Sequence, residues 1–342
     1  MANVLWGYKK GLSELGVAAK VVIFQEHRFG YPADVTFRFK GHRYLRKLRR
    51  IPHIPQLISQ FDVFHFVYGS SLLPFPYNFD IPLLRTVNKK IAMSFLGSDI
   101  RCSEEAMKGY KRVDGCQECF LGYGNHQKCK IQKKIRLVKF WRRNADAIFC
   151  GVGYSQILDS LFVKYHPLIV PCDLTYWKPF QSNWYKKRSD EILILHAPSE
   201  KRIKGENFVI RSVQKLRNEG YNINFMLLEN VPNNKVREWL NVADIVVDQL
   251  LGGWHGMFSV ESMAMAKPTI CYIKEEYRKP LEYAQNIPLV NANTETIYER
   301  LKMLIDNPDL RKRIGRQSRK YAEEVHDCRK VAKQLLEVYS HF

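Results

Sequence analysis

Twice along this chain, short apolar runs rich in β-branched residues alternate with stretches of helical spacing, and a polar break separates the two series. In the first series the runs fall at residues 21–24, 63–67, 91–95, 147–150 and 168–170. In the second they fall at 192–196, 223–228, 245–247 and 269–273. Short strands that are apolar throughout must be covered on both faces, which a parallel sheet between helices provides. The break holds Asp173, the sequence LTYWKPF at 174–180 and a polar stretch at 181–190. The spacing therefore predicts two doubly wound, Rossmann-like α/β domains, an N-terminal one over 1–175 and a second over 176–325. A helix over 326–342 is expected to pack back on the first domain.

No stretch approaches the roughly 18–20 uncharged apolar residues that a membrane helix needs. Lys9, Lys10 and Glu14 stand where a secretory signal keeps an apolar run, so the expected location is the cytoplasm. There the eight cysteines are thiols or metal ligands and not disulfides.

The chain carries 54 Lys and Arg against 34 Asp and Glu, a net charge of +20. The excess is concentrated at residues 38–50 (RFKGHRYLRKLRR) and 130–143 (KIQKKIRLVKFWRR), with seven cations each and no acid. Solvated helix faces explain such runs. So does a surface for an anionic membrane, on whose inner face the protein would then be peripheral. Nucleic acid is disfavoured, because no recognised nucleic-acid motif accompanies the charge.

In a doubly wound sheet, ligands bind beyond the carboxyl ends of the strands. Strand 192–196 runs into APSEKRIKG, where Ser199, Lys201, Arg202, Lys204 and Gly205 open a helix. Cations and backbone N–H groups at a helix start suit a diphosphate, although an ordinary basic loop has the same composition. Farther on, ADIVVDQLLGGWHGMFSVESMAMAKP (243–268) ends a strand at Asp248, passes Gly252, Gly253, His255 and Gly256, and starts a helix near Ser259, its expected N-cap. Glu261 then falls in the first turn. It accepts ribose hydroxyls on one reading and complements the helix dipole on the other.

These two motifs resemble the donor domain of GT-B glycosyltransferases, especially the retaining group called family four. DVFHFVYGSSLLP, IAMSFLGSDIR, NADAIFCGV and VPCDLTYWKPF resemble the acceptor domain, so the likeness spans nearly the whole chain. It implies a GT-B fold, two such domains facing across a cleft, and transfer of a sugar from a nucleotide-sugar donor to a glycan, lipid-linked or other cell-envelope acceptor, as in polysaccharide biosynthesis. It implies further that Lys201 and Lys204 hold the donor diphosphate without a metal cofactor, that Glu261 grips the ribose, and that Asn230 meets the base. His65, Ser98, Asp99 and Arg101 would face the acceptor, with His65 or Asp99 as a base; a structural histidine at 65 is the alternative. The resemblance departs at two places. The family has Glu, seven residues, Glu, whereas Gly253 stands at the first of those positions. No counterpart of the family's opening strand precedes Ala2, so the first domain is expected to lack it. An epimerase of the same fold and a catalytically inert basic binding protein are the competing readings.

Cys102, Cys116, Cys119 and Cys129, spaced C-x13-C-x2-C-x9-C in a polar loop, fit one structural Zn²⁺. Cys150, Cys172 and Cys271 adjoin apolar strands and read as small buried residues.

Overall fold

The computed structural model describes residues 3–342 except 26–28, 43–44, 46–47, 74–77, 98, 101–130, 154, 187 and 200–203. The proposed zinc ligands Cys102, Cys116, Cys119 and Cys129, and the site candidates Ser98, Arg101, Lys201 and Arg202, therefore lie outside the described residues.

The first domain holds a parallel sheet in the order β3 (Val63–Val67), β4 (Lys90–Phe95), β5 (Ala147–Cys150), β6 (His166–Pro167). A parallel pair, β1 (Val22–Ile23) and β2 (Val35–Thr36), forms a separate two-stranded sheet. The last strand lies at 166–167, two residues ahead of the apolar run at 168–170. There Leu168 donates its N–H to the Cys150 carbonyl as the chain leaves the sheet.

Alternation sorts the side chains of this sheet into two layers, as a pleat with a two-residue period must. Phe64, Ile91, Met93, Phe95, Ile148 and Cys150 point to one face. They meet α2 (Ile54–Gln60), α3 (Asp80–Thr86), α4 (Ile131–Asn144) and α5 (Gln156–Ser160). Ala92, Ala147 and Phe149 point to the other face, against α1 (Val4–Glu14) and the C-terminal helix (Cys328–Tyr339). Gly11 permits that packing, since a Cβ there would lie 2.0 Å from the Cys328 carbonyl oxygen.

The second domain is one five-stranded parallel sheet in the order β11 (Val290–Asn291), β10 (Thr269–Cys271), β9 (Ile245–Val247), β7 (Ile192–His196), β8 (Ile223–Leu227). Chain order turns back at β7, so β7 and β9 are neighbours whose onward connections lead to opposite edges of the sheet. That is the switch point at which doubly wound sheets open a crevice. Its main helices are α6 (Glu206–Asn218), α7 (Asn233–Val242), α8 (Met257–Ala264), the short α9 (Glu275–Arg278), α10 (Ile297–Asp306) and α11 (Pro308–Tyr321), followed by the C-terminal helix, α12.

Two crossovers join the domains. Cys172 donates its N–H to the His326 carbonyl, and Cys328 donates to the Cys172 carbonyl. The N–H of Asn233, at the start of α7, also donates to the Phe29 carbonyl of the first domain at 3.1 Å.

A candidate functional site at the strand switch

The loops leaving β7 and β9 are laced together. Leu250 donates its N–H to the Lys204 carbonyl at 3.1 Å. Gly205 has φ of +84° and faces the Leu250 side chain, which a Cβ would approach to 3.1 Å. Both demands select glycine.

At the centre is a residue that the sequence reading passed over as a strand end. The carboxylate of Asp248 is buried and receives Lys204 Nζ on Oδ1 at 2.7 Å. Its Oδ2 accepts Ser259 Oγ at 2.6 Å and the Gly256 N–H at 3.4 Å. Burial drives this carboxyl up, but the Lys204 charge and these hydrogen bonds outweigh it and hold it below the usual carboxylate range. A Cβ on Gly256 would lie 3.9 Å from Lys204 Nζ, so the ammonium stands beside the start of α8. A lone carboxylate closing the all-apolar strand IVV was the available signal.

The same geometry revises two local expectations. Gly256, in extended conformation, is the N-cap of α8, and Ser259 lies inside the first turn with its hydroxyl on Asp248. Glu261 is accordingly one turn into the helix and 3% exposed, not in its first turn. It accepts Asn233 Nδ2 from α7 at 3.3 Å. Burial pushes its carboxyl up to about 8, with Asp248 adding to the shift and Asn233 opposing it. Asn233 is thus the α7 residue at this site. Asn230, three positions earlier, is exposed with φ of +55°.

His255 differs from expectation. Its ring turns inward against Trp254 and lies edge-on to His326, centroids 5.5 Å apart. Neither ring nitrogen has a hydrogen-bond partner among the described residues. Burial lowers it to about 4, so the ring is neutral and sits under the glycine-rich loop. Gly253, with φ of +68°, bends that loop so that its carbonyl accepts the Lys274 N–H. Ser199 is exposed at the outer edge of the β7 loop.

On the first domain, His65 does not face a cleft. It lies mid-strand in β3, on the face covered by α1 and α12, stacked between Tyr8 and Phe149. Nδ1 bonds the Tyr339 hydroxyl and Nε2 the Ser94 hydroxyl, at 2.5 and 2.7 Å. Burial lowers it to about 3, which leaves no basic nitrogen for an acceptor hydroxyl. Asp99 follows β4 and holds its own turn, accepting the N–H groups of Leu96, Gly97 and Ile100 at 2.8–3.2 Å. Burial raises its carboxyl despite those bonds. Leu96, just after β4, and the α8 residue Met257 pack against one apolar cluster.

Two parallel α/β sheets whose facing loops meet across an interdomain space, with a last helix returning to the first domain, match solved structures along nearly their whole length. A glycosyltransferase from Rickettsia africae superposes with a TM-score of 0.61 at 12% identity, over 98% of this chain and 93% of the other. Anabaena HepE in complex with UDP-glucose gives 0.59 at 11% identity, over 99% and 96%. Sucrose-phosphate synthase from Thermosynechococcus elongatus gives 0.58 at 12% identity, over 97% and 91%. The chain has a GT-B fold. No protein-family model matches it, and no curated protein does. Within this GT-B architecture, Lys204, Asp248, Gly256 and Glu261 sit at the switch point of the second domain.

Proposed function

We propose that this protein is a glycosyltransferase whose second domain binds a nucleoside diphosphate sugar and whose first domain presents a glycan or lipid-linked acceptor at an anionic membrane surface. The observation that carries this reading is the Lys204 ammonium held by Asp248 beside the N-terminus of α8, at the β7–β9 switch point. An ammonium standing beside the N–H groups that open a helix is matched to a diphosphate. In transfer, the bond from the sugar C1 to the diphosphate oxygen breaks and a bond from C1 to the acceptor oxygen forms. The acceptor proton leaves to solvent or to the departing diphosphate. Lys204 and the α8 N–H groups stabilise the charge developing on the leaving oxygen, so that no metal ion is called on for it. Lys201 and Arg202 adjoin Lys204 in the chain and would add cations to the same phosphates. Glu261, once ionised, accepts the ribose hydroxyls, with Asn233 fixing its carboxylate.

HepE is in complex with UDP-glucose, so uridine diphosphate is the first ligand to titrate. Calorimetry against uridine, guanosine and adenosine diphosphates, with and without chelator, is expected to find one that binds, equally in both conditions. Lys204→Ala should weaken it at least tenfold, about 1.4 kcal/mol. Binding of none of them would leave the inert-protein reading. Interconversion of a nucleotide sugar with no acceptor present would indicate an epimerase.

A further inference from the structure

The helical layer of the first domain keeps large apolar side chains in water. α3 buries Ile81 and Leu84 in the sheet's core, yet Phe79, Leu83 and Val87 stay 51, 52 and 45% exposed. Their four-residue spacing aligns them along one stripe. Leu48 and Ile51, ahead of α2, are 59 and 45% exposed, and Leu45 also faces solvent. Arg50 ties this segment to the loop before α3 by donating to the Leu72 carbonyl at 3.1 Å.

α4 lies in the same layer and buries Val138 and Trp141 in the same core. Its exposed positions are Lys133, Arg136, Lys139, Arg142 and Arg143, and it contains no acidic residue. Because α2, α3 and α4 bury their inner faces against one side of one sheet, their outer faces form a single surface.

We propose that this surface docks on the headgroup region of an anionic lipid bilayer, with the leucines and Phe79 entering the acyl boundary and the α4 cations pairing with lipid phosphates. It deepens the membrane part of the proposed function, and rests on that reading only in taking the acceptor to be membrane-borne. A soluble polyanion would be met by the cations alone and would leave Phe79, Leu83 and Leu48 in water. An interfacial bilayer contact satisfies both kinds of side chain. No helix among the described residues is long and apolar enough to cross a membrane, so the contact is lateral.

Flotation with phosphatidylcholine vesicles, and with vesicles containing phosphatidylglycerol, tests the surface at low and high salt, with heparin binding as a control for bare charge. The expected result is binding to anionic vesicles only, weakened by salt. Leu48→Gln/Leu83→Gln should lower vesicle partition about tenfold and keep heparin and nucleotide binding. Arg136→Gln/Lys139→Gln should weaken vesicles and heparin together. Equal binding to neutral and anionic vesicles overturns the proposal. So does unchanged vesicle binding by the leucine variant, or its loss of heparin binding alongside vesicle binding. Absence of nucleotide binding with vesicle binding intact would count against the glycosyltransferase reading and leave the docking surface standing.

Discussion

Each domain places an aspartate just beyond a strand end, and the two do different work. Asp99, after β4, spends its carboxylate on N–H groups of its own turn, no more than three residues away. Asp248, after β9, bonds a lysine 44 residues earlier in the chain and a serine 11 residues later. The first aspartate shapes a loop; the second holds three segments at one point and aims a cation. A carboxylate with local partners is a turn device, and one with distant partners is where a site is assembled.

The sharpest break in this comparison is Asp248→Ala. It leaves the Lys204 ammonium, 15% exposed, without its counter-ion and strands the Ser259 hydroxyl. Removing one partner of a buried pair costs about 3–5 kcal/mol, so the melting temperature should fall markedly, with donor binding lost in the fraction still folded. A melting temperature within a degree or two of the parent would mean the pair is not buried as described.

His65→Phe preserves the stack on Tyr8 and Phe149 and removes two hydrogen bonds, leaving the Ser94 and Tyr339 hydroxyls without that partner. A loss of about 2 kcal/mol in denaturant unfolding is expected, with turnover per folded molecule unchanged. A fall in kcat at constant stability would restore His65 as a catalytic base.

Glu261 gives a smaller effect with a distinct pH signature. Its folded value of about 8 lies above the ordinary glutamate value of 4.5, so the native state binds the extra proton between them. Its contribution is fully present below the unfolded value and is lost as pH rises through about 8. Stability should therefore decline across that window, and Glu261→Gln should flatten the decline. Ribose needs the ionised acceptor, so nucleoside diphosphate affinity should rise from pH 6 toward 8. The same variant should remove that rise and cost about tenfold at pH 8. Affinity independent of pH in the parent would show that Glu261 does not meet the ligand.

Asp99→Asn is expected to cost only about 1 kcal/mol, since one acceptor oxygen remains for the turn, with donor affinity unaltered. An effect as large as that of Asp248→Ala would erase the distinction between the two aspartates.

Much of this protein is written in local pattern. Strand runs such as ILILH and IVV, the break at 174–190 and the glycines 205 and 253 announce two parallel α/β units and their ligand-side loops, because strand burial and positive φ act through neighbouring residues. Even the close approach of loop to loop is foreshadowed by Gly205 standing ahead of Glu206. Other features depended on which segments become neighbours. His65 reads in sequence like a strand-end histidine near the acceptor, and only the return of α12 over that face of the sheet turns it into a packed ring bonded to Tyr339. Glu261 reads as a residue of a first turn, and only the Gly256 cap and the approach of α7 set it deeper in the helix and raise its pKa. Lys204 and Asp248 are 44 positions apart, and the turn of strand order at β7 makes them a pair. Burial and charge pairing are sums over spatial neighbours, and for these residues nearly all such neighbours come from elsewhere in the chain.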